Sequence, residues 1–567
     1  MDKRVVIFLV LSLAIILGFD FLLKQMGWLP EPPPAQDAAV LAPSSEERKP
    51  TPAPVTDKDS GSTNLSDPAK SGQKSGARSS DISPPASEQT VTIETDLVRV
   101  GLSNRGGVIQ SWELKRYHTA PPEKKPVQLV YQGGKFKGPL SITVANAEID
   151  KTIREGLYGI EKDFTILDAA HPVGHVTMQF HDSATHLGVE KRLTFHHDSY
   201  VVDVSVDLEG VTEPYDVGLG TNFGIVEWGS GFIGVIGSAW RVDDKIEKET
   251  PEKELERKGT VQWVVLHDKY FISVLMPKQA TGVLAKNEGE KIVSAGVRMA
   301  ASGGASSVGL QLYAGPKEHD SLRSLNVGLE EMIDFGFFIF GSWTVVKSVA
   351  KPIFYVLRFI HGYTYNYGVT IVLLTVAIKL LFAPLQYKSY KSMKMMRVIQ
   401  PKIAAVQEKY KGDRDRLNKE LMKLYKDQKV NPLGGFLPMI LQMPVFVALF
   451  NVLYTTIDLR QAPFMLWITD LSVQDPYYVL PIIMGVTMFI QQKITPTTMD
   501  PTQAKIMLVL PVGMTFLFVN FPAGLVLYWL TNNTLTISQQ LLTDRFVFRN
   551  NKAFISAGAE QSGSPNA

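Results

Sequence analysis

Apolar residues are distributed unevenly along this chain. Residues 5–19, VVIFLVLSLAIILGF, form one run directly behind Lys3 and Arg4, the pattern of a cleaved signal peptide or of an uncleaved anchor. The nearest small-residue cleavage candidate, around Ala39 to Ala42, lies well beyond the run and past four prolines, which favours an anchor over residues 1–23. Five further apolar stretches, 366–385, 436–457, 478–494, 504–520 and 521–542, approach the ~20 residues with which a helix crosses a bilayer. The pattern predicts a polytopic α-helical membrane protein with six transmembrane helices arranged 1+5.

The polar parts of the chain read differently. Residues 24–89 hold eleven of the 34 prolines amid Ser, Ala and Asp, a composition that buries too little apolar surface to offset chain entropy and predicts a disordered linker. From Thr90 the texture changes to period-two alternation: Val202, Val204, Val206 and Leu208 interleave with Asp203, Ser205 and Asp207, and Trp263–Leu275 and Val308–Leu312 follow. Such alternation between Gly-rich turns predicts an all-β sandwich domain over residues 90–330 with one buried face per sheet. Over residues 342–362, Lys347, Lys351 and Arg358 make one basic stripe among Trp343, Phe354, Tyr355 and Phe359, the pattern of an interfacial amphipathic helix or, more simply, of a surface helix of the β domain; Pro352 would kink either.

Charge orients the spans. Between Pro384 and Pro432 lie thirteen basic and five acidic residues, which places segment 386–431 in the cytoplasm by the positive-inside rule. The loop 458–477 has Arg460 alone against Asp458, Asp470 and Asp475 and falls outside; both termini, including the tail 543–567, are then cytoplasmic. Met393, Met396, Ile399, Ile403, Val406 and Tyr410 recur at helical spacing, Gly412-Asp413 makes a turn, and Leu417, Leu421 and Leu424 resume until Asn431-Pro432. This predicts a cytoplasmic helical hairpin with a thin apolar seam and a basic outside, carried by Lys391, Lys394, Arg397, Lys402, Arg414 and Arg416. It is either a solvated hairpin that merely obeys the charge rule or an arm that touches ribosomal RNA, anionic lipid or a targeting factor.

Within the spans one residue stands apart. Lys379 lies inside VTIVLLTVAIKLLFAPL, roughly 20 Å from the outer end of its helix and about 9 Å from the inner one. A charge at that depth reads as functional unless its stem snorkels to the headgroups. Thr375 is one turn away on the same face, and Gln442, Thr515, Asn532 and Asn533, with Thr531, Thr534, Ser538 and Gln540, recur at matching depths, as helix-packing groups singly or as the lining of a wet cavity together. No Asp or Glu falls within the five C-terminal spans, which disfavours ion-coupled transport.

Other chemistries are excluded. There is no Cys, hence no disulfide, thiolate or Cys-held metal. A net charge of +2 makes no global field for nucleic acid, and DNA is not an expected partner. Walker, GxSxG and HExxH patterns do not occur, and His196-His197 has no evident partner spacing. Neither enzymatic activity, nor a cofactor, nor a metal is expected.

NPLGGFLPMILQMPVF at 431–446, LRQAPFMLWITDLSVQDPYYVLPIIMGVTMF at 459–489 and FPAGLVLYWLTNN at 521–533 resemble the signature segments of the YidC/Oxa1/Alb3 membrane-protein insertases. The β domain behind the first span is similar to the Gram-negative form. The resemblance covers about Tyr367 to Leu542 and implies a chaperone-like insertase of the bacterial inner membrane with its large domain in the periplasm. It implies a hydrophilic groove, open to cytoplasm and lipid, whose positive charge receives hydrophilic segments of nascent membrane proteins. Carried over by position, Lys379 occupies the place of the family's arginine, Met443, Pro444 and Phe446 match the third-span substrate slide, and Tyr528 and Trp529 match its sixth-span face. The Sec translocon, the ribosome and signal-recognition components are the implied partners beside the lipid bilayer. The chain departs from the pattern in having lysine at 379, Trp529 where many relatives have a second tyrosine, and only Lys552 as a base after Arg549. Two other readings are a small-molecule transporter or channel with an accessory β domain, and a cell-envelope sugar-binding or sugar-modifying protein.

Overall fold

The computed structural model describes residues 87–119, 123–133, 137–228, 236–249, 251–300, 303–333, 344–428, 430, 437–495 and 507–545. The expected anchor at 1–23, nearly all of the linker at 24–89 and the tail beyond Arg545 lie outside the described residues.

Residues 90–316 fold as antiparallel sheets of four, five and nine strands. The expected alternation is present at Val201–Val211, where Val202, Val204, Val206 and Leu208 are buried and the intervening residues half-exposed. That strand pairs with Leu187–His196 on one side and Gly304–Pro316 on the other. Val261–His267 and Phe271–Pro277 do not alternate and are buried almost throughout. The five-stranded sheet packs against them. The segment leading to Ile333 also covers them, because the Val327 carbonyl accepts from Trp263 Nε1 and from Arg241, both at 3.0 Å. One buried face per sheet therefore holds for part of the domain only, since a strand covered on both sides has no polar face to keep. His196 and His197 find partners in Asp203 at 3.3 Å and Asp96 at 2.9 Å, so the pair belongs to the sheet surface.

One buried charge pins this domain together. Lys191 is fully buried, and its ammonium donates to the carbonyls of Gly107, Leu140 and Gly106 at 2.8, 2.9 and 3.0 Å. Gly106 and Gly107 have φ of 71° and 56°, and a Cβ on Gly106 would meet the Arg154 carbonyl at 2.8 Å, so the turn that offers two of those carbonyls needs glycine. Burial pushes the Lys191 amine down to about 7. Three acceptors nonetheless match the three donors of the charged form and oppose that shift.

Two short helices, α1 (Ala147–Glu155) and α2 (His319–Ser324), belong to the β domain. The rest is helical: α3 (Thr344–Thr364), α4 (Tyr367–Lys409), α5 (Arg414–Asp427), α6 (Leu437–Thr455), α7 (Val479–Ile494), α8 (Leu510–Phe518) and α9 (Ala523–Thr543). Among the described residues one helical segment, Tyr367–Met396, is long and apolar enough to cross a membrane, with shorter apolar helices at Gln442–Thr455 and Val479–Ile494. Helix α4 runs unbroken for 43 residues through Pro384 and Pro401. The expected boundary at 385 is thus not a helix end, and the first arm of the hairpin continues the apolar helix. A proline removes one backbone donor, and neither site is followed by a Gly or Asn that would stop the helix. The second arm, α5, is capped by the Asp413 carboxylate, which accepts from Arg416 N. Met396, Ile399 and Val430 are the buried seam, with Met395, Ile403 and Tyr425 packed on it.

Helix α3 lays Val346, Ala350, Ile353, Phe354 and Leu357 inward against α4 and α6 while Lys347, Lys351, Tyr355, Phe359 and Tyr363 stay exposed. It runs through Pro352. Arg358 makes two 2.8 Å hydrogen bonds to Asp320 of α2, and this guanidinium holds the Asp320 carboxyl down at about 2. The β domain docks on the helices at a second place, the turn 268–271. Asp268 is buried and accepts from the backbone N–H groups of Val226, Glu227, Tyr270 and Phe271. The turn so fixed holds Lys269 Nζ 3.7 Å above the Tyr454 ring at the end of α6, while Arg460 lies over Tyr270 and Phe271. Gln461 Nε2 adds a 2.7 Å bond to the His118 carbonyl.

Replacing Lys191 by Met leaves the carbonyls of Gly106, Gly107 and Leu140 buried without a donor, at 1–3 kcal/mol for each group so stranded. The Lys191→Met chain is expected to lose about 3 kcal/mol, read as an earlier denaturation midpoint of the β-sheet circular dichroism signal. An unchanged midpoint would show that the domain does not depend on this pin.

Candidate functional site: a lysine between two helices

Helices α4 and α9 begin on the same side of the helical body, where the Asn366 amide of the α4 N-cap donates to Phe464 O and Ala523 N donates to Val473 O. Lys379 lies twelve residues into α4 and Thr536 thirteen into α9, so the two stand at nearly equal depth, about 18 and 20 Å along their helices. Lys379 is 8% exposed and its Nζ donates to Thr536 Oγ1 at 2.8 Å. No carboxylate faces it among the described residues. The lysine's partner is a neutral hydroxyl.

The remaining polar groups fan out from α9. Asn532, one turn before Thr536 on the same face, accepts from Gln442 Nε2 of α6 through its side-chain oxygen at 3.4 Å. Asn533 turns away from that face, is buried, and donates to Thr487 of α7 at 3.4 Å. Thr375 is buried one turn from Lys379 with its hydroxyl bonded back to Ile371 O at 2.6 Å. Thr515 is not gathered to the lysine: its hydroxyl donates to Pro511 O at 2.8 Å and lies against Gly485 of α7, where a Cβ would have no room. It serves the close approach of α7 and α8. The structure thus brings together Lys379, Thr536, Asn532 and Gln442. Thr536 escapes a reading of the sequence because hydroxyls are common in apolar helices and its partner lies 157 residues away; its only local signal is the four-residue spacing from Asn532.

Of the five residues matched to a substrate slide, Met443 is exposed and Pro444 half-exposed. Phe446 packs edge-on to Trp529 at 4.8 Å and beside Tyr528 at 6.2 Å, and Trp529 meets Phe518 at 4.6 Å. Tyr528 is buried. These aromatics join α6, α8 and α9, and Met443 with Pro444 forms the open edge.

In the basic arm Lys391, Lys402 and Arg416 are exposed, and Arg416 lies 3.5 Å from Asp413; the side chains of Arg397 and Arg414 lie outside the described residues. Lys394 is engaged otherwise. It forms an ion pair with Asp544, the residue that follows α9, and Tyr390 donates to the same carboxylate at 2.8 Å. An acid at a helix C-terminus opposes the helix dipole, so Asp544 is not there for its own helix.

Comparison with known proteins adds the family. The family described as 60Kd inner membrane protein matches residues 359–551, and that described as YidC periplasmic domain matches residues 90–356. "Membrane protein insertase YidC" of Geotalea uraniireducens is 39% identical over 563 residues, covering 95% of this chain and 98% of its own. The protein of the same name from Oleidesulfovibrio alaskensis is 35% identical over 560 residues with the same coverage. The chain belongs to the YidC family of membrane protein insertases. A crystal structure described as an active YidC insertase with the first transmembrane domain resolved is 18% identical, with TM-score 0.35, covering 81% of this chain and 93% of its own. The insertase reading stands, without enzymatic activity, and the transporter alternative is not favoured. The two YidC matches meet inside α3, beside Arg358, the residue that ties the helices to the periplasmic domain.

In this YidC-family chain Asp544 fastens the end of α9 to the middle of α4. Asp544→Ala is expected to speed amide hydrogen exchange over residues 388–396 by roughly threefold to tenfold, the scale of one surface ion pair and one neutral hydrogen bond. Exchange at the wild-type rate would show that the apolar seam alone holds the base of the arm.

Proposed function

We propose that Lys379 is the groove charge with which this insertase receives hydrophilic segments of nascent membrane proteins before their transmembrane helices pass into lipid. The observation that carries this is a buried ammonium whose partner is a hydroxyl rather than a carboxylate. A counter-ion would cancel the charge, whereas a hydroxyl leaves it intact for an incoming acid. The client's polar segment leaves water for a place where Lys379, Gln442 and Asn532 replace part of its hydration, which shortens the low-dielectric distance to be crossed. Burial of the client's apolar helix then drives release at ~25 cal/mol per Å², and a potential positive outside adds about 2.3 kcal/mol per negative charge per 100 mV.

In this reading the chain has six spans, an anchor at 1–23 and five at 366–385, 436–457, 478–494, 504–520 and 521–542. It resides in the bacterial inner membrane with both termini in the cytoplasm. Helix α3 lies in the outer interface with Tyr355, Phe359 and Tyr363 toward lipid, as their exposure on one side of a helix packed on α4 and α6 supports. Met443, Pro444 and Phe446 with Tyr528 and Trp529 form the slide along which the client leaves. The exposed bases of the hairpin, Lys391, Lys402 and Arg416 among them, meet the ribosome or signal-recognition components, and the Sec translocon is a partner for some clients.

Topology is tested by reporters. One fused after Asp427 is expected to be active only in the cytoplasm and one after Asp475 only outside; the reverse pattern overturns the orientation. The charge is tested by insertion into proteoliposomes. Lys379→Arg is expected to keep activity and Lys379→Ala to slow clients with acidic translocated segments most. Lys379→Glu is expected to be slowest, because it repels those segments. Wild-type rates for Lys379→Ala with acidic clients, at equal protein in the membrane, would refute the groove-charge reading.

A further inference from the structure

The Thr536 hydroxyl is in two hydrogen bonds at once. It donates to the carbonyl of Asn532, one turn back on α9, at 2.7 Å, and the Lys379 ammonium reaches the same oxygen at 2.8 Å. A threonine hydroxyl has one proton. With that proton committed to the helix carbonyl, Oγ1 can meet the lysine only through a lone pair, and the back bond also fixes the rotamer that aims the lone pair across the groove. Ammonium, hydroxyl and carbonyl form a chain in which each bond polarises the next.

Depth makes the contact informative. A lysine deep in an apolar span tends to swing its stem toward the nearer headgroups. Here Nζ is instead tied to a residue of α9 at nearly its own depth along the bundle. An ammonium has three donors, and among the described residues this one bonds to Thr536 alone. Two donors remain for whatever enters between α4 and α9.

We propose that Thr536 is the positioning residue of the insertase groove: its hydroxyl, locked as an acceptor, holds the Lys379 ammonium at the level of Thr536, pointing across to α9, with two donors free for a client carboxylate. This rests on the groove-charge reading of Lys379. It also explains a neutral partner at this position, because a carboxylate in place of Thr536 would saturate the charge that the client must find.

The test is a double-mutant cycle with purified full-length chain in proteoliposomes, scored with two clients that differ only in an acidic or a neutral translocated segment. Thr536→Val keeps the shape and removes the hydroxyl, while Thr536→Ser keeps the hydroxyl. Thr536→Val is expected to slow the acidic client roughly tenfold, on the scale of one hydrogen bond to a charged group, to leave the neutral client near wild type, and to be rescued by Thr536→Ser. In a Lys379→Ala background Thr536→Val is expected to change nothing further. Should valine lower the amount of protein in the membrane, Thr536→Ala is read in its place under the same criteria. If Lys379→Ala slows the acidic client but Thr536→Val does not, the positioning role is overturned and the groove charge stands. If Thr536→Val slows both clients equally, or slows them in the Lys379→Ala background as well, Thr536 only packs helices and the proposal is wrong. If Lys379→Ala has no effect, the groove-charge reading fails and takes the positioning role with it.

Discussion

A charge inside an apolar helix needs polar company at its own depth, and this one requirement orders the helical half of the molecule. The ammonium of Lys379 is held by Thr536, which requires α4 and α9 to start on the same side and to run in step. Helix α9 must then show a polar face to α4 and α6 through Asn532 and Thr536 while turning Asn533 to Thr487 of α7 and burying Tyr528 among apolar neighbours. A helix with three different neighbours cannot be amphipathic in the ordinary sense. Its polar residues are distributed by the needs of each contact.

The β domain is attached to the helical half at α3 and at the end of α6. Two attachments differ in kind. Arg358 and Asp320 form a partly exposed bidentate pair, which is directional and weak in water. The turn at 268–271 is a buried structure in which one carboxylate organises four backbone N–H groups, and burial raises the Asp268 carboxyl in spite of them. Its neighbours Lys269 and Tyr270 supply the contact with Tyr454 and Arg460. Beyond Lys379, Asp544 at the end of α9 gathers Tyr390 and Lys394 of α4. Helices α4 and α9 are thereby fastened to each other beyond Lys379, while Met443 stays exposed and Pro444 half-exposed.

Much of this was legible in the residues. Strand alternation at 201–208, the helical seam of Met396 and Ile399, the turn at Gly412-Asp413 and the isolation of Lys379 are local patterns, set by the period of one element or by the cost of one charge. Three features took their form only on folding. The helix of the apolar stretch continues past 385, because a proline weakens a helix without ending it when no stop residue follows. Thr515 serves the contact of α7 with α8, since hydroxyls on different helices look alike until packing decides which faces meet. Lys394, read as an outward base of the arm, faces Asp544 150 residues away.

The sequence by itself determined which segments are apolar, which alternate as strands do, which carry charge, and that one lysine sits inside an apolar run. Those are properties of a residue and its near neighbours, governed by side-chain period, hydration and electrostatics within a turn or two. Only the tertiary structure decided that Thr536 rather than Thr375 or Thr515 accepts from Lys379, that Asn532 and Asn533 serve different helices, and that Asp268 and Asp320 bind the two halves together. Each of these is a contact between residues far apart in the chain. Such contacts depend on the relative depth and rotation of packed elements, and no spacing along the chain encodes those.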